Sequence, residues 1–502
     1  MSSTREDSQS ASEATPLLAN ASTIPVGTSA DEEDVPALAP TTSGPVTAET
    51  QPAEDQIPKA QIFYLCCARL IDPIAFFGIF PFVNQMIFDI GQVPEARVGF
   101  YAGLIESIFS VVAMCSTIPW GRLADRIGRK PVLVFSIIGL SICTALFGLS
   151  QSLVQMFLTR CSAGLFAGSV VTIRTMMAEN STPKTQARVF SYFAFASNVG
   201  IFLGPVLGGA LADPAREYGG VFKRVYFFRE YPYALATCVI GIFGLLSALF
   251  VLVFVEETLK SKTSEAPLNG SSKSEEMSIS ELVKCPGVAR VLFLQCHIMV
   301  LAFSFTAVMP VFYFTSIKKG GYGLDPFWIS VFMALGGLAQ AMWMLAVFPW
   351  IQRRWSTGTV IRLCARAYPF FFAILPVYNA ILRQGWSNFF WATAPVMSMI
   401  GAGVAMCFTA IQLAINDVNP KPATLGTLNS VALALTSGIR SFSPALFTTL
   451  FAIGVDRHIL AGYFVWVIMI VIAVGFTFDA QLLPANAEGR LDKQESTEGS
   501  EP

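Results

Sequence analysis

The sequence predicts an all-α, polytopic membrane protein with twelve transmembrane helices in two pseudo-symmetric six-helix bundles. Three observations predict it. Hydrophobic residues make up 53% of the chain and charged residues 13%, with a mean hydropathy of +0.57; a soluble domain carries roughly 25% charged residues. The apolar residues come in long blocks separated by short polar ones. A block of about 20 apolar residues crosses the hydrocarbon core as a helix, which satisfies its own backbone there. Finally, one charged, Ser-rich stretch near the middle divides the blocks into two sets of six.

Residues 1–58 are rich in Ser, Thr, Ala, Pro and acids, as in Asp31-Glu-Glu-Asp34. Such a segment buries too little apolar area to offset its ordering entropy and reads as a disordered tail. It has no basic region followed by an apolar core, so it does not read as a cleaved signal peptide. A first bundle, 59–255, holds spans at about 62–88, 98–119, 131–149, 153–179, 187–212 and 233–255. The linker is 256–287. A second bundle, 288–482, holds spans at about 288–316, 326–351, 358–382, 388–414, 421–451 and 459–480, and a second disordered tail covers 483–502. Ile118-Pro119-Trp120 closes the second span and Phe348-Pro349-Trp350 the eighth, while Pro205 in the fifth has a counterpart in Pro444 of the eleventh. This is the mark of repeated halves, a known transporter plan.

Even parity puts both tails and the linker on one side. Arg122, Arg126, Arg129 and Lys130, with linker residues Lys260, Lys262, Lys273 and Lys284, assign that side to the cytoplasm. The 5–6 connection dissents, carrying Arg216, Lys223, Arg224 and Arg229 on the opposite side. The sequons at Asn20, Asn180 and Asn269 then fall in the cytoplasm.

Composition also excludes several functions. A formal net charge of −1 leaves no basic footprint for nucleic acid. With two histidines, His297 and His458, and ten cysteines without zinc-type spacing, no metal centre is expected. No cofactor is implied. No P-loop, HExxH or GxSxG motif is present, so the chain reads as neither an ATP-driven pump nor an enzyme.

The strongest local signal is Gly121-Arg-Leu-Ala-Asp125-Arg126-Ile-Gly128-Arg129-Lys130, read as a tight loop between spans 2 and 3. Its glycines permit a sharp turn, and Asp125 can pair with basic groups or cap a helix, forming a latch that breaks when the halves rock. This segment resembles the signature loop of the major facilitator superfamily. Gly200-Ile-Phe-Leu-Gly204-Pro205-Val-Leu-Gly208-Gly209 resembles the antiporter motif of that superfamily's drug:proton branch; its small residues let helices pack closely. The segment Arg69–Pro81 and the stretch Gly426–Asn429 through Arg440 and Pro444 are similar to fungal and plant carriers related to the zinc-induced facilitators. The bulky Leu446, Phe447 and Thr448 depart from the small residues expected after Pro444. The resemblance covers roughly 60–480.

Ionisable residues inside a membrane mark a pathway, because leaving them in lipid is costly. Asp72 lies about 15 Å deep in span 1 at 1.5 Å per residue, and Glu106 and Arg160 reach a similar level from the opposite face. The expectation is that the three meet, with Asp72 or Glu106 binding the coupling proton. Arg160 would tune that carboxyl by charge proximity, and the resemblance links it to proton coupling, since Arg160-Cys-Ser-Ala-Gly164 fits the family's fourth-helix motif. Asp72 is also placed for simple neutralisation by Arg69 at i, i+3. Gln295, His297, Arg366 and Arg440 are the candidates in the second half. Arg174 and Glu179 are expected to join the Asp125 latch, and aromatics such as Phe76, Phe77, Phe80, Phe312, Tyr313 and Phe314 could line an apolar cavity. Glu13, Leu17 and Leu18 fit an acidic dileucine pattern that a sorting adaptor could read, favouring an endosomal or vacuolar membrane over the plasma membrane. The expected function is secondary transport of a small-molecule substrate, coupled to protons, in export or sequestration. The alternatives are a proton symporter or facilitator for uptake, and a transport-inactive receptor.

Overall fold

The computed structural model describes residues 58–181, 185–259, 278–421 and 424–489. The dileucine residues Glu13, Leu17 and Leu18, most of the linker and the last thirteen residues lie outside them. Among the described residues there are no strands. The twelve spans are Lys59–Gly91, Glu95–Ile127, Arg129–Gly148, Leu153–Glu179, Arg188–Leu211 and Ala234–Phe254, then Val288–Phe314, Pro326–Gln352, Thr357–Arg383, Ser387–Asp417, Thr427–Asp456 and Phe464–Gln481.

Two expected boundaries are corrected. The segment 121–127 is not loop: span 2 continues through Pro119 and Gly121 to Ile127, and the chain breaks only at Gly128, with φ 109°. Arg-Leu-Ala-Asp-Arg-Ile carries enough helix propensity to continue once nothing forces a turn. The last span starts at Phe464 rather than 459, because His458, Leu460 and Ala461 take left-handed conformations ahead of it. Other irregularities have local causes. Span 8 widens into a π-turn at Trp343–Val347 just before Pro349, which has no N–H to continue the ladder. Span 1 is interrupted near Leu70 and again at Gly78–Ile79.

Cross-links between span ends establish the parity. Gln61 exchanges hydrogen bonds with the Glu256 backbone, and Gly358 N–H donates to Glu488 O. The starts of spans 1 and 9 therefore share a face with the linker and the chain end. Tyr233 Oη donates to Asp89 Oδ2 at 2.9 Å on the opposite, far face. Buried cores fall on either side of the linker, one within 282–487 and two within 62–255.

The halves meet at their far-face ends. Gly99 and Gly103 of span 2 lie against Thr448 and Phe451 of span 11. Gly209 of span 5 lies against Ser330 of span 8, and Gly337 against Phe202. Toward the linker face the same helices carry exposed apolar side chains, Ile118 and Ile127 on span 2 and Leu433 and Leu435 on span 11. Close contacts between the halves thus gather at the far face.

Candidate functional site

Glu106 and Arg160 are both buried, at 6% and 3% exposed, and a charge is retained there only with partners. Glu106 interacts electrostatically with Arg160 of span 4 and Arg440 of span 11. The Arg160 guanidinium lies 4.7 Å from the centre of the Phe109 ring, 5.7 Å from Phe147 and 5.9 Å from Phe76. Arg440 lies 4.4 Å from Phe76. One aromatic ring, Phe76, therefore serves two arginines from opposite halves, each such contact contributing about 0.5–2 kcal/mol. Glu106 is the single carboxylate between two guanidiniums, so proton binding there changes the local field by a full charge.

Asp72 does not join this group. Its carboxylate accepts from Arg69 Nη1 at 3.1 Å and from the Ser169 hydroxyl. Depth along the helix set the level correctly, but the i, i+3 neighbour captured the charge. Arg174 is likewise removed from the Asp125 latch: it stacks over Phe193 and Phe190 at 5.6 and 5.9 Å.

A cavity of about 210 Å³ lies mainly against the second half. Phe305, Met309 and Tyr313 of span 7, Phe332, Met333 and Gln340 of span 8, and Tyr368 and Phe371 of span 9 line it. Phe77 and Pro205 close it from the first half, and Thr306 and Ser398 add hydroxyls. No lining residue is charged. Such a wall offers ring contacts with a few polar anchors, the make-up of a small-molecule site.

The remaining second-half candidates lie outside this wall. Gln295 Nε2 donates weakly to Thr436 Oγ1 at 3.4 Å. His297 bonds Asp479 Oδ2 at 2.7 Å and Ile472 O at 2.9 Å, joining spans 7 and 12, and Arg290 bonds the same Asp479. Arg366 is exposed and does not line the cavity.

On the linker face, Arg129 pairs with Asp125 and with Glu179 Oε1, the latter at 3.1 Å. Glu257 accepts the N–H groups of Arg129 and Lys130 at 2.8 and 3.0 Å, and Thr258 Oγ1 donates to Glu179. Glu257 thus caps span 3, where the helix dipole favours an anion. Partial burial pushes its carboxyl pKa up, but the backbone N–H groups of Leu259, Arg129, Lys130 and Thr258 outweigh this and hold it below its ordinary value. Arg126 is exposed and takes no part in these bonds. The cluster lies within the first half. At the far face Glu95 receives Ser316 N–H and Lys319 Nζ, each at 2.7 Å, across the halves.

The span 5 glycines divide their work. Gly200, Gly204 and Gly208 press against Leu70, Pro73, Ile74 and Gly78 of span 1, whereas Gly209 meets Ser330 and Pro326 of span 8. Span 11 shows the reverse arrangement: its bulky Thr448 and Phe451 enter the space left by Gly99 and Gly103. Thr448 is thereby explained, since the small residues stand on the partner helix; Leu446 and Phe447 make no such contact with these glycines. Sequence reasoning missed Glu257, Glu95, Lys319 and Asp479. Only Glu257 left a local signal, an acid just after the last apolar block of the first half. Among the described residues no group of His, Cys, Asp and Glu could hold a metal ion.

The family model of the Major Facilitator Superfamily matches residues 65–448. The chain belongs to that superfamily. It is 45% identical to the efflux pump azaK of Aspergillus niger over 456 residues, covering 90% of this chain and 95% of that one. It is 24% identical to the protein ZINC INDUCED FACILITATOR 1 of Arabidopsis thaliana, over 80% of this chain and 87% of the relative. A bacterial homolog to the human lysosomal transporter Spinster, solved in an inward-facing and occupied conformation, has a TM-score of 0.62 at 16% identity, covering 87% of this chain and 99% of that one. At that identity the likeness is one of fold. The chain is a multi-pass major facilitator transporter, the family expected from Gly121–Lys130, and its aromatic cavity opens at the seam where such halves rock.

Proposed function

We propose that this transporter exports or sequesters a small, largely aromatic organic molecule in exchange for protons, and that Glu106 binds the coupling proton. One observation carries the reading: adjacent residues Phe76 and Phe77 join the two sites. Phe77 lines the uncharged cavity, and Phe76 holds the two arginines that face Glu106. Solute occupancy and proton occupancy thereby act on one short helical segment. The relationship to a fungal efflux pump supports export. The basic residues around Gly128 support a cytoplasmic linker face, and the dileucine pattern supports an endosomal or vacuolar membrane. The site is built for passage rather than catalysis, so the chain is assigned no enzymatic activity.

The test is solute transport in proteoliposomes of full-length protein, with an imposed proton gradient and a panel of neutral aromatic fluorophores. Glu106→Gln is expected to abolish gradient-driven accumulation and to retain solute exchange at equal pH. Gradient-driven accumulation by Glu106→Gln at the unmodified rate would remove Glu106 from the mechanism.

A further inference from the structure

Asn84 stands in span 1 within the helical segment Phe80–Gly91 and is 0% exposed. Neither its Nδ2 nor its Oδ1 has a hydrogen-bond partner among the described residues. A buried amide with both ends unsatisfied is costly, and a leucine, which has the same side-chain branching and no polar atoms, would not carry that cost. The amide faces a small cavity of about 10 Å³, bounded also by Ala102, Ile105, Pro310, Val311 and the carboxylate-bearing Glu106. That volume accommodates about one water molecule, and such a guest needs two or more polar partners. Asn84 and Glu106 supply them.

The position of this cavity gives it direction. Spans 1 and 7 run from the linker face to the far face, and span 2 runs back. Asn84 therefore lies three turns beyond Asp72 toward the far face, Ala102 one turn beyond Glu106, and Pro310 in the last two turns of span 7. The cavity is on the far-face side of Glu106, beneath the closure formed by Gly99, Gly103 and the Glu95–Lys319 pair. Arg160 and Arg440, the cations that Glu106 interacts with, cannot accept a proton from it. Span 7 contributes only apolar groups to this cavity.

We propose that Asn84 and Glu106 share a one-water site through which the coupling proton passes between the far face and Glu106. When the far face opens, the water takes a proton from a hydronium ion of the far-face solution as it releases one of its own to the Glu106 carboxylate, so that an O–H bond forms on each acceptor oxygen as one breaks on its donor and a neutral water remains in the site. Asn84 holds the water by accepting through Oδ1 and donating through Nδ2, leaving its other hydrogen aimed at the carboxylate. This rests on Glu106 being the proton carrier and adds the route by which the proton arrives. Asn84 is a positioning residue.

The experiment needs no transported solute. Infrared difference spectra are recorded on the full chain in lipid across a pH step, in ordinary and in oxygen-18 water. The carboxyl band of Glu106 is identified by its loss in Glu106→Gln. It is expected to appear together with an internal water band that shifts in heavy-oxygen water. Asn84→Leu, which fills the cavity, is expected to remove the water band and slow protonation after the step by about tenfold or more. Asn84→Ser, with a hydroxyl and room for the guest, is expected to restore both. An unchanged water band and rate in Asn84→Leu would overturn the proposal, as would failure of Asn84→Ser to restore them, since packing alone would then account for the loss. If Glu106→Gln leaves the carboxyl band in place, Glu106 is not the carrier and the coupling mechanism itself falls.

Discussion

Ser107 Oγ accepts the backbone N–H of Ala445 at 2.9 Å across the two halves, and the residue before Ser107 is Glu106. The proposed proton carrier is thus one peptide unit from a bond that joins the two halves in this structure. Removing the hydroxyl with Ser107→Ala leaves the Ala445 N–H without this acceptor, a loss of about 1 kcal/mol or roughly fivefold in the balance between the two faces. Labelling of a reporter cysteine at the far-face end of span 2 is expected to rise by that factor. No change in labelling would show that the bond does not contribute to closure.

The Glu95–Lys319 pair should contribute less. Its side chains are 21% and 36% exposed, so solvent screens it and the coupling is about 0.2–1 kcal/mol. Glu95 also accepts Ser316 N–H, so Glu95→Ala is expected to open the far face more than Lys319→Ala. Raising the salt concentration should diminish the effect of Lys319→Ala. Equal effects of the two substitutions would contradict this assignment.

The two glycine motifs should respond oppositely to an added methyl group. A Cβ on Gly208 would overlap the carbonyl oxygen of Gly78, whereas a Cβ on Gly121 would meet nothing within 4 Å. Gly208→Ala is expected to destabilise by about 1–3 kcal/mol through overpacking, seen as a lowered unfolding temperature in detergent. Gly121→Ala should leave it unchanged or slightly raised, since alanine is the better helix former. A tolerated Gly208→Ala would disprove the close approach of spans 1 and 5.

Glu257 makes the linker-face cluster sensitive to acid. Its carboxyl pKa is held below the ordinary 4.5, so its stabilisation is present above that value and is lost as pH falls through the depressed one. Glu257→Gln is expected to cost about 1 kcal/mol at neutral pH, from the weaker cap on span 3. The gap from the unmodified chain should close as the pH drops below the ordinary carboxylate range. A gap that stays constant with pH would mean that the charge of Glu257 does not matter.

The spans were readable because hydrocarbon leaves the backbone one solution, and span ends followed wherever polarity changed abruptly. The end of span 2 was not readable, because Gly121–Ile127 is polar yet helical and only Gly128 turns. Glu106, Arg160 and Arg440 could be singled out as charges in apolar surroundings. Their convergence with each other and not with Asp72 depends on helix rotation, which depth along a span does not contain. Asn84 attracted no notice, since a single amide in an apolar run is a common feature. Its meaning comes from Pro310 and Val311, more than two hundred residues away, which bring the other walls. Glu95 and Lys319 were invisible for the same reason: each is an ordinary loop charge until the halves are assembled.

Consecutive residues on a helix point about 100° apart, and Phe76 and Phe77 end the short segment Ile71–Phe77 just before the interruption at Gly78. That segment can act as a crank, with one arm in the uncharged cavity and the other against the two arginines. A rotation of a few degrees would move both arms at once, with no relay of intermediate side chains. The cavity and the buried charge cluster would then be geared together across the thickness of a single helix.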